Sequence, residues 1–106
     1  MQIIEVKTDS PIIEQKIREA FPDDYKVMLA VALCESNLNQ SAVSHTKDFG
    51  VFQINEAVWD NVAKDMGLDY KNSIDDNIKM AQHVYGVQNR QAWVCYNLDM
   101  HLTYLD

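Results

Sequence analysis

Cysteine is scarce in this sequence, with only Cys34 and Cys95 in 106 residues. Two are too few for a disulfide scaffold, and without CxxC spacing they give neither a zinc nor a thiol-redox motif. They can form one bridge or sit as two buried thiols. Long apolar runs are also missing: nothing approaches the 18 or so residues needed to span a bilayer. The opening MQIIEVKTDSP lacks the basic-then-apolar layout of a secretory signal. A soluble chain with no membrane span is therefore expected. Cations are few, nine Lys and Arg against sixteen Asp and Glu for a net charge of -7, and they are spread along the chain, which argues against nucleic acid as a partner. His45, His83 and His101 stand apart from one another with no metal-ligand spacing, so they are expected as surface or capping residues with no metal. No repeat, low-complexity tract or linker divides the chain.

What remains is enough for one domain over residues 1–106, with 47% hydrophobic residues and ten aromatics to build a core. Ser10 before Pro11 is a helix-start pair, and Ile13, Ile17, Ala20 and Phe21 follow at helical spacing, predicting a helix over 11–21. Pro22, Asp23 and Asp24 open a second helix, in which Val27 to Cys34 are eight consecutive apolar residues, the pattern of a helix buried all round. From Asn37 to about Gln53 turn formers dominate, leaving room for a loop or a minimal hairpin. Asn55 caps a third helix carrying an apolar stripe of Val58, Trp59, Val62 and Met66, with Gly67 as the stop. Ser73 and Asp76 form a capping-box pattern ahead of Ile74, Ile78, Ala81, Val84 and Tyr85, ending at Gly86. A last short helix is expected between Gln91 and about Leu105. The fold class is thus mainly α, about five helices around a buried central one, with an irregular segment after it.

Glu35 follows directly on the apolar run, in the last turn of the buried helix. Desolvation and the negative end of the helix dipole both disfavour its carboxylate, so its pKa should be raised and the group suited to general acid work. A structural Glu that reaches solvent or pairs with a lysine is the other reading of the same position. Asp48, in a turn-rich segment before Gly50, is expected to be wetter and ionised. Two carboxyls in unlike surroundings separate an acid from a charge stabiliser or nucleophile, although Asp before a glycine turn also has a purely conformational explanation. Ser44, Gln53 and Asn55 flank Gly50 and Phe52, polar groups over an apolar floor that suit a sugar, while Ser44 and Asn55 also fit turn and cap roles. Trp59, Trp93, Tyr96 and Tyr104 offer either ring faces for sugars or core.

The segment ESNLNQSAVSHTKDFGVFQIN, Glu35 to Asn55, resembles the signature of the lysozyme-like superfamily. It is similar to bacterial lytic transglycosylases in the AVS ahead of the glycine, and to chicken-type lysozymes in the run Asp48, Phe49, Gly50, Val51, Phe52, Gln53, Ile54, Asn55. AWVCYN near the C-terminus resembles both families, and SIDDNIKMA resembles the lysozyme counterpart. The resemblance spans roughly Tyr25 to Asn97. It implies a lysozyme-like fold with a cleft between helices and, as partner, peptidoglycan glycan strands cut at the β-1,4 bond between N-acetylmuramic acid and N-acetylglucosamine, with no cofactor. It implies Glu35 as the acid, Ser44 and Gln53 as site-lining residues, Tyr96 near Glu35, and Asp48 where chicken-type lysozymes keep a second carboxylate. Trp93 and Asn55 join the expected substrate-binding set. Cys34 and Cys95 immediately precede Glu35 and Tyr96, which the resemblance puts in one cleft, so the two cysteines are expected close together. The chain departs from the pattern at Leu98 and Asp99, where a small residue and glycine usually follow Tyr-Asn, in a shorter loop between Glu35 and Asp48, and in lacking four disulfides.

The expected activity is that of a monomeric lytic transglycosylase giving a 1,6-anhydro product and acting on the cell wall from the periplasm, from outside or by phage delivery. Its rivals are a lysozyme-type hydrolase using Glu35 and Asp48, and a non-catalytic glycan-binding domain. An acidic chain gains no steering towards an anionic wall, so activity would rest on a specific cleft.

Overall fold

The computed structural model describes residues 10–105; the reading of the first nine residues lies outside them. The fold is mainly helical with a two-stranded sheet, as the periodicities predict. Helix α1, Ser10–Ala20, buries Ile13 and Ile17. Ser10 is its first helical residue rather than its cap. Helix α2, Tyr25–Ser36, has Asp24 as its N-cap residue. The Asp24 side chain makes no cap bond, because its carboxylate accepts from Arg90 Nε at 2.7 Å and Tyr85 Oη at 2.9 Å.

None of the eight apolar positions of α2 is exposed, and Met28, Ala30, Val31 and Ala32 are fully buried. The helix ends at Asn37 in the left-handed region, whose N–H donates to Leu33 O. The irregular segment then holds the minimal hairpin, β1 (Asp48–Phe49) paired antiparallel with β2 (Ile54–Asn55), with Asp48 opposite Asn55.

Helix α3, Glu56–Met66, is capped by Asn55, which accepts from Val58 N, and is stopped by Gly67 at φ 72. Its expected stripe is only partly interior: Val58 is 59% and Met66 45% exposed, and Ala63 is the buried residue of the helix. The helix lies on the rim beside the hairpin, so a narrower face meets the core. Helix α4, Ile74–Gln88, starts where Ser73 accepts from Asp76 N, but the reciprocal half of the capping box is absent because Asp76 Oδ2 accepts from Asp69 N instead. It also runs through Gly86, which sits in open space as an ordinary helical residue.

The expected single last helix is broken into a 3₁₀ turn (Asn89–Ala92), a one-turn helix α5 (Val94–Asn97) and a second 3₁₀ turn (Met100–Tyr104). Extended backbone at Trp93 (φ -109, ψ 127) and a left-handed Asp99 make the two breaks. His101, expected as a surface or capping residue, is 4% exposed: its ring lies 4.9 Å from that of Tyr96, and Nδ1 donates to Cys95 O at 3.3 Å. Among the described residues no helix is long and apolar enough to cross a membrane.

Candidate active site

Glu35 leaves the C-terminal turn of α2 half-buried, and a cavity of about 110 Å³ opens beside it. The hairpin supplies one wall through Asp48, Gln53, Ile54 and Asn55. Ala92, Trp93 and Val94 also line it, as do Trp59 from α3 and Val84 from α4. The two carboxyls therefore share one cavity. Burial raises the Glu35 pKa; the Cys95 N–H, which donates to Oε2 at 3.1 Å, works against that, and the negative charge of Asp48 raises it again. The net direction is upward.

Asp48 is pushed the other way. Slight burial acts to raise its pKa, but hydrogen bonds from Thr46 Oγ1 (2.6 Å), Ser44 Oγ (2.7 Å) and Asn55 Nδ2 (2.8 Å) outweigh it and hold the carboxyl below its usual range. The strand register explains the third of these, since Asp48 and Asn55 are directly opposed and short polar side chains at such positions meet. Asn55 thus serves twice, with Oδ1 capping α3 and Nδ2 holding Asp48.

The hairpin is itself pinned from behind by two amides. Asn77 is fully buried on α4; its Oδ1 accepts from Phe52 N at 2.9 Å, and its Nδ2 donates to Phe49 O at 2.8 Å and Tyr70 O at 2.9 Å. Gln40 accepts from Val51 N and donates to Tyr70 O and Lys71 O. Gly50 passes so close to both that a Cβ there would stand 2.3 Å from Asn77 Nδ2 and 2.6 Å from Gln40 Oε1, and its φ of +81 suits glycine. Gln53, with φ 50, turns its Nε2 to Ala42 O and Gly50 O.

Of the residues expected from the sequence, Glu35, Asp48, Gln53, Asn55 and Trp93 meet at the cavity. Ser44 does not line it and instead supports Asp48. Tyr96 is outside the lining, between His101 and Arg90, whose guanidinium carbon lies 5.6 Å from its ring centre. Trp93 belongs to the core, 4% exposed with Nε1 donating to Phe52 O at 2.9 Å, and it also lines the cavity. Tyr104 is exposed and away from the cavity. The cysteines form a bridge, with Cα atoms 6.2 Å apart, so the alternative of two free thiols is excluded. Among the described residues no group of His, Cys, Asp or Glu is arranged to hold a metal ion.

Sequence reasoning missed Asn77 and Gln40. Asn77 had a signal, a polar residue three after Ile74 and four before Ala81 on the apolar face of α4. Thr46 had none beyond lying in a turn.

The carboxyl at the end of the buried helix, raised in pKa, thus shares a cavity with a second one on the hairpin, lowered in pKa. The profile of the Transglycosylase SLT domain family matches residues 12–97, and the chain belongs to that family, whose members cleave glycosidic bonds. Comparison with curated proteins and with solved structures returns no match.

Proposed function

We propose that the chain is a peptidoglycan lytic transglycosylase in which Glu35 serves first as acid and then as base. The observation that carries this reading is the setting of Glu35 within the family match: a half-buried carboxyl, raised in pKa, on the wall of the cavity. Glu35 protonates the glycosidic oxygen between N-acetylmuramic acid and N-acetylglucosamine. The bond from that oxygen to the muramic C1 breaks, leaving an oxocarbenium-like centre. The Glu35 carboxylate then takes the proton of the same sugar's C6 hydroxyl as its oxygen bonds to C1, closing the 1,6-anhydro ring and returning the acid to its starting state.

Asp48 shares the cavity, held by Asn55 and Ser44, but this reaction does not depend on it, because the nucleophile belongs to the substrate. Gln53 and Trp93 shape the subsite, and Tyr96, outside the lining, packs against His101. Loss of turbidity of a purified peptidoglycan suspension tests the assignment. Wild type should clear it and Glu35→Gln should not, and equal clearing by both would remove Glu35 from the chemistry.

One observation supports a second reading. Asp48 receives three hydrogen bonds and acts electrostatically on Glu35, as the second carboxylate of a retaining hydrolase would. In that reading water takes the place of the C6 hydroxyl and the product carries a reducing end.

A further inference from the structure

We propose that the Cys34–Cys95 disulfide is a positioning element for the acid, holding the Cys95 N–H on Glu35 Oε2 and, with it, the cavity wall formed by Ala92, Trp93 and Val94. This rests on the reading of Glu35 as the acid. The bridge joins positions 61 residues apart, and each half is covalently next to the groups it aligns. Cys34 precedes Glu35 in the last turn of α2, and Cys95 carries the donated amide.

The geometry gives the bridge this task because the short segment that carries that amide has little helical stability of its own. Helix α5 has four residues between two 3₁₀ turns, and a single turn has no helical stability of its own. An amide so near the start of a helix has no partner within the ladder and is free to donate outward, here to Glu35 at 3.1 Å. The disulfide, the Trp93 indole on Phe52 O, and Arg90, whose guanidinium pairs with Asp24 at the far end of the helix that bears Glu35, tie this stretch to the rest of the fold. The disulfide is the covalent tie, and it joins that helix at the residue next to Glu35. Asp48 on β1 is the charged group that also acts on Glu35, and the bridge does not touch it; His101 meets Cys95 on the carbonyl side. Opening the bridge should therefore release the amide while leaving the Asp48 influence in place, and a carboxylate that loses a donor becomes harder to ionise.

The test compares the full oxidised chain, the same chain reduced by a phosphine (which takes up the oxygen of one water as the disulfide becomes two thiols), and Cys34→Ala/Cys95→Ala. Carbon-detected titration follows the Glu35 carboxyl, and the pH profile of peptidoglycan clearing is recorded alongside. Opening the bridge should move the Glu35 midpoint and the alkaline limb of activity upward together, on the order of one pH unit for one hydrogen bond to a charged group. An unchanged Glu35 midpoint, with only the melting temperature lowered, would make the bridge a plain structural staple and overturn the proposal.

If the opened forms do not fold, the Cys95 amide proton of the oxidised chain decides: its shift should follow the Glu35 titration, and an amide indifferent to it refutes the contact. Clearing by Glu35→Gln would sink the acid assignment without changing the Glu35 or Cys95 titrations, so the two failures are separable.

Discussion

Replacing Asn77 should loosen the hairpin that carries Asp48, and the size of the effect follows from its three hydrogen bonds. Asn77 is fully buried and serves Phe52 N, Phe49 O and Tyr70 O, so Asn77→Ala removes all three and strands a buried N–H and two carbonyls. At about 1 kcal/mol for each bond, with a further 1 to 2 for the stranded N–H, the loss is about 4–5 kcal/mol. For a domain of this size, at about 4–8 °C per kcal/mol, that lowers Tm by on the order of 15–40 °C.

Asn77→Asp is the sharper variant, because it keeps the acceptor for Phe52 N but turns an oxygen towards two carbonyl oxygens. The introduced carboxyl is buried with one donor, Phe52 N–H, and faces two carbonyl oxygens, so its folded pKa rises above the unfolded value of about 3.9. A raised folded pKa means the variant is least impaired below that unfolded value and loses stability as pH rises from it to the folded one, levelling off above. Thermal unfolding followed by circular dichroism between pH 3 and 8, set as a range in about the span where this group ionises, reads both effects. An Asn77→Ala chain melting within about 3 °C of wild type, or an Asn77→Asp deficit independent of pH, would show that Asn77 does not hold the hairpin.

Gly50→Ala should cost on the order of 3 kcal/mol, from a positive φ and from a Cβ driven against Asn77 and Gln40; denaturant unfolding measures it, and a loss under about 0.5 kcal/mol would mean the approach is not tight. Asn55→Ala removes the cap of α3, worth about 1 kcal/mol, and one of three donors to Asp48. The lowered Asp48 pKa contributes stability above its unfolded value that is lost as pH falls, so this variant should unfold in acid at a higher pH than wild type, and coincident acid transitions would contradict the role. Glu35→Gln should gain stability relative to wild type at pH 7, well above the unfolded carboxyl value, because burial makes ionised Glu35 unfavourable to folding, and the gain should vanish below about pH 4. Melting curves of the pair at both pH values check it.

Much of this was legible in the sequence because the signals are local. The unbroken run Val27 to Cys34 identifies the buried helix and sets Glu35 at its end, and Asn55, Gly67 and Ser73 mark boundaries through cap chemistry that needs no tertiary context. Elements whose ends are decided by distant partners were not legible. Asp24 is drawn off its cap by Arg90 and Tyr85, more than 60 positions away, Asp76 by Asp69, and the C-terminal helix is broken at Trp93, whose indole reaches back to Phe52 O. The candidate site divides in the same way. Its carboxyls lie in a recognisable segment, whereas Thr46, Asn77 and Gln40, which fix the hairpin, are set by contacts that periodicity does not encode.

The most direct test of the central claim is the mass of the released muropeptides from wild type and from Asp48→Asn. A transglycosylase takes its nucleophile from the substrate and needs no second carboxylate to complete the reaction. The account predicts 1,6-anhydro ends, lighter by one water than reducing ends, from wild type, and substantial activity with the same product from Asp48→Asn. Reducing ends as the main product, together with an inactive Asp48→Asn, would contradict it and make the chain a hydrolase.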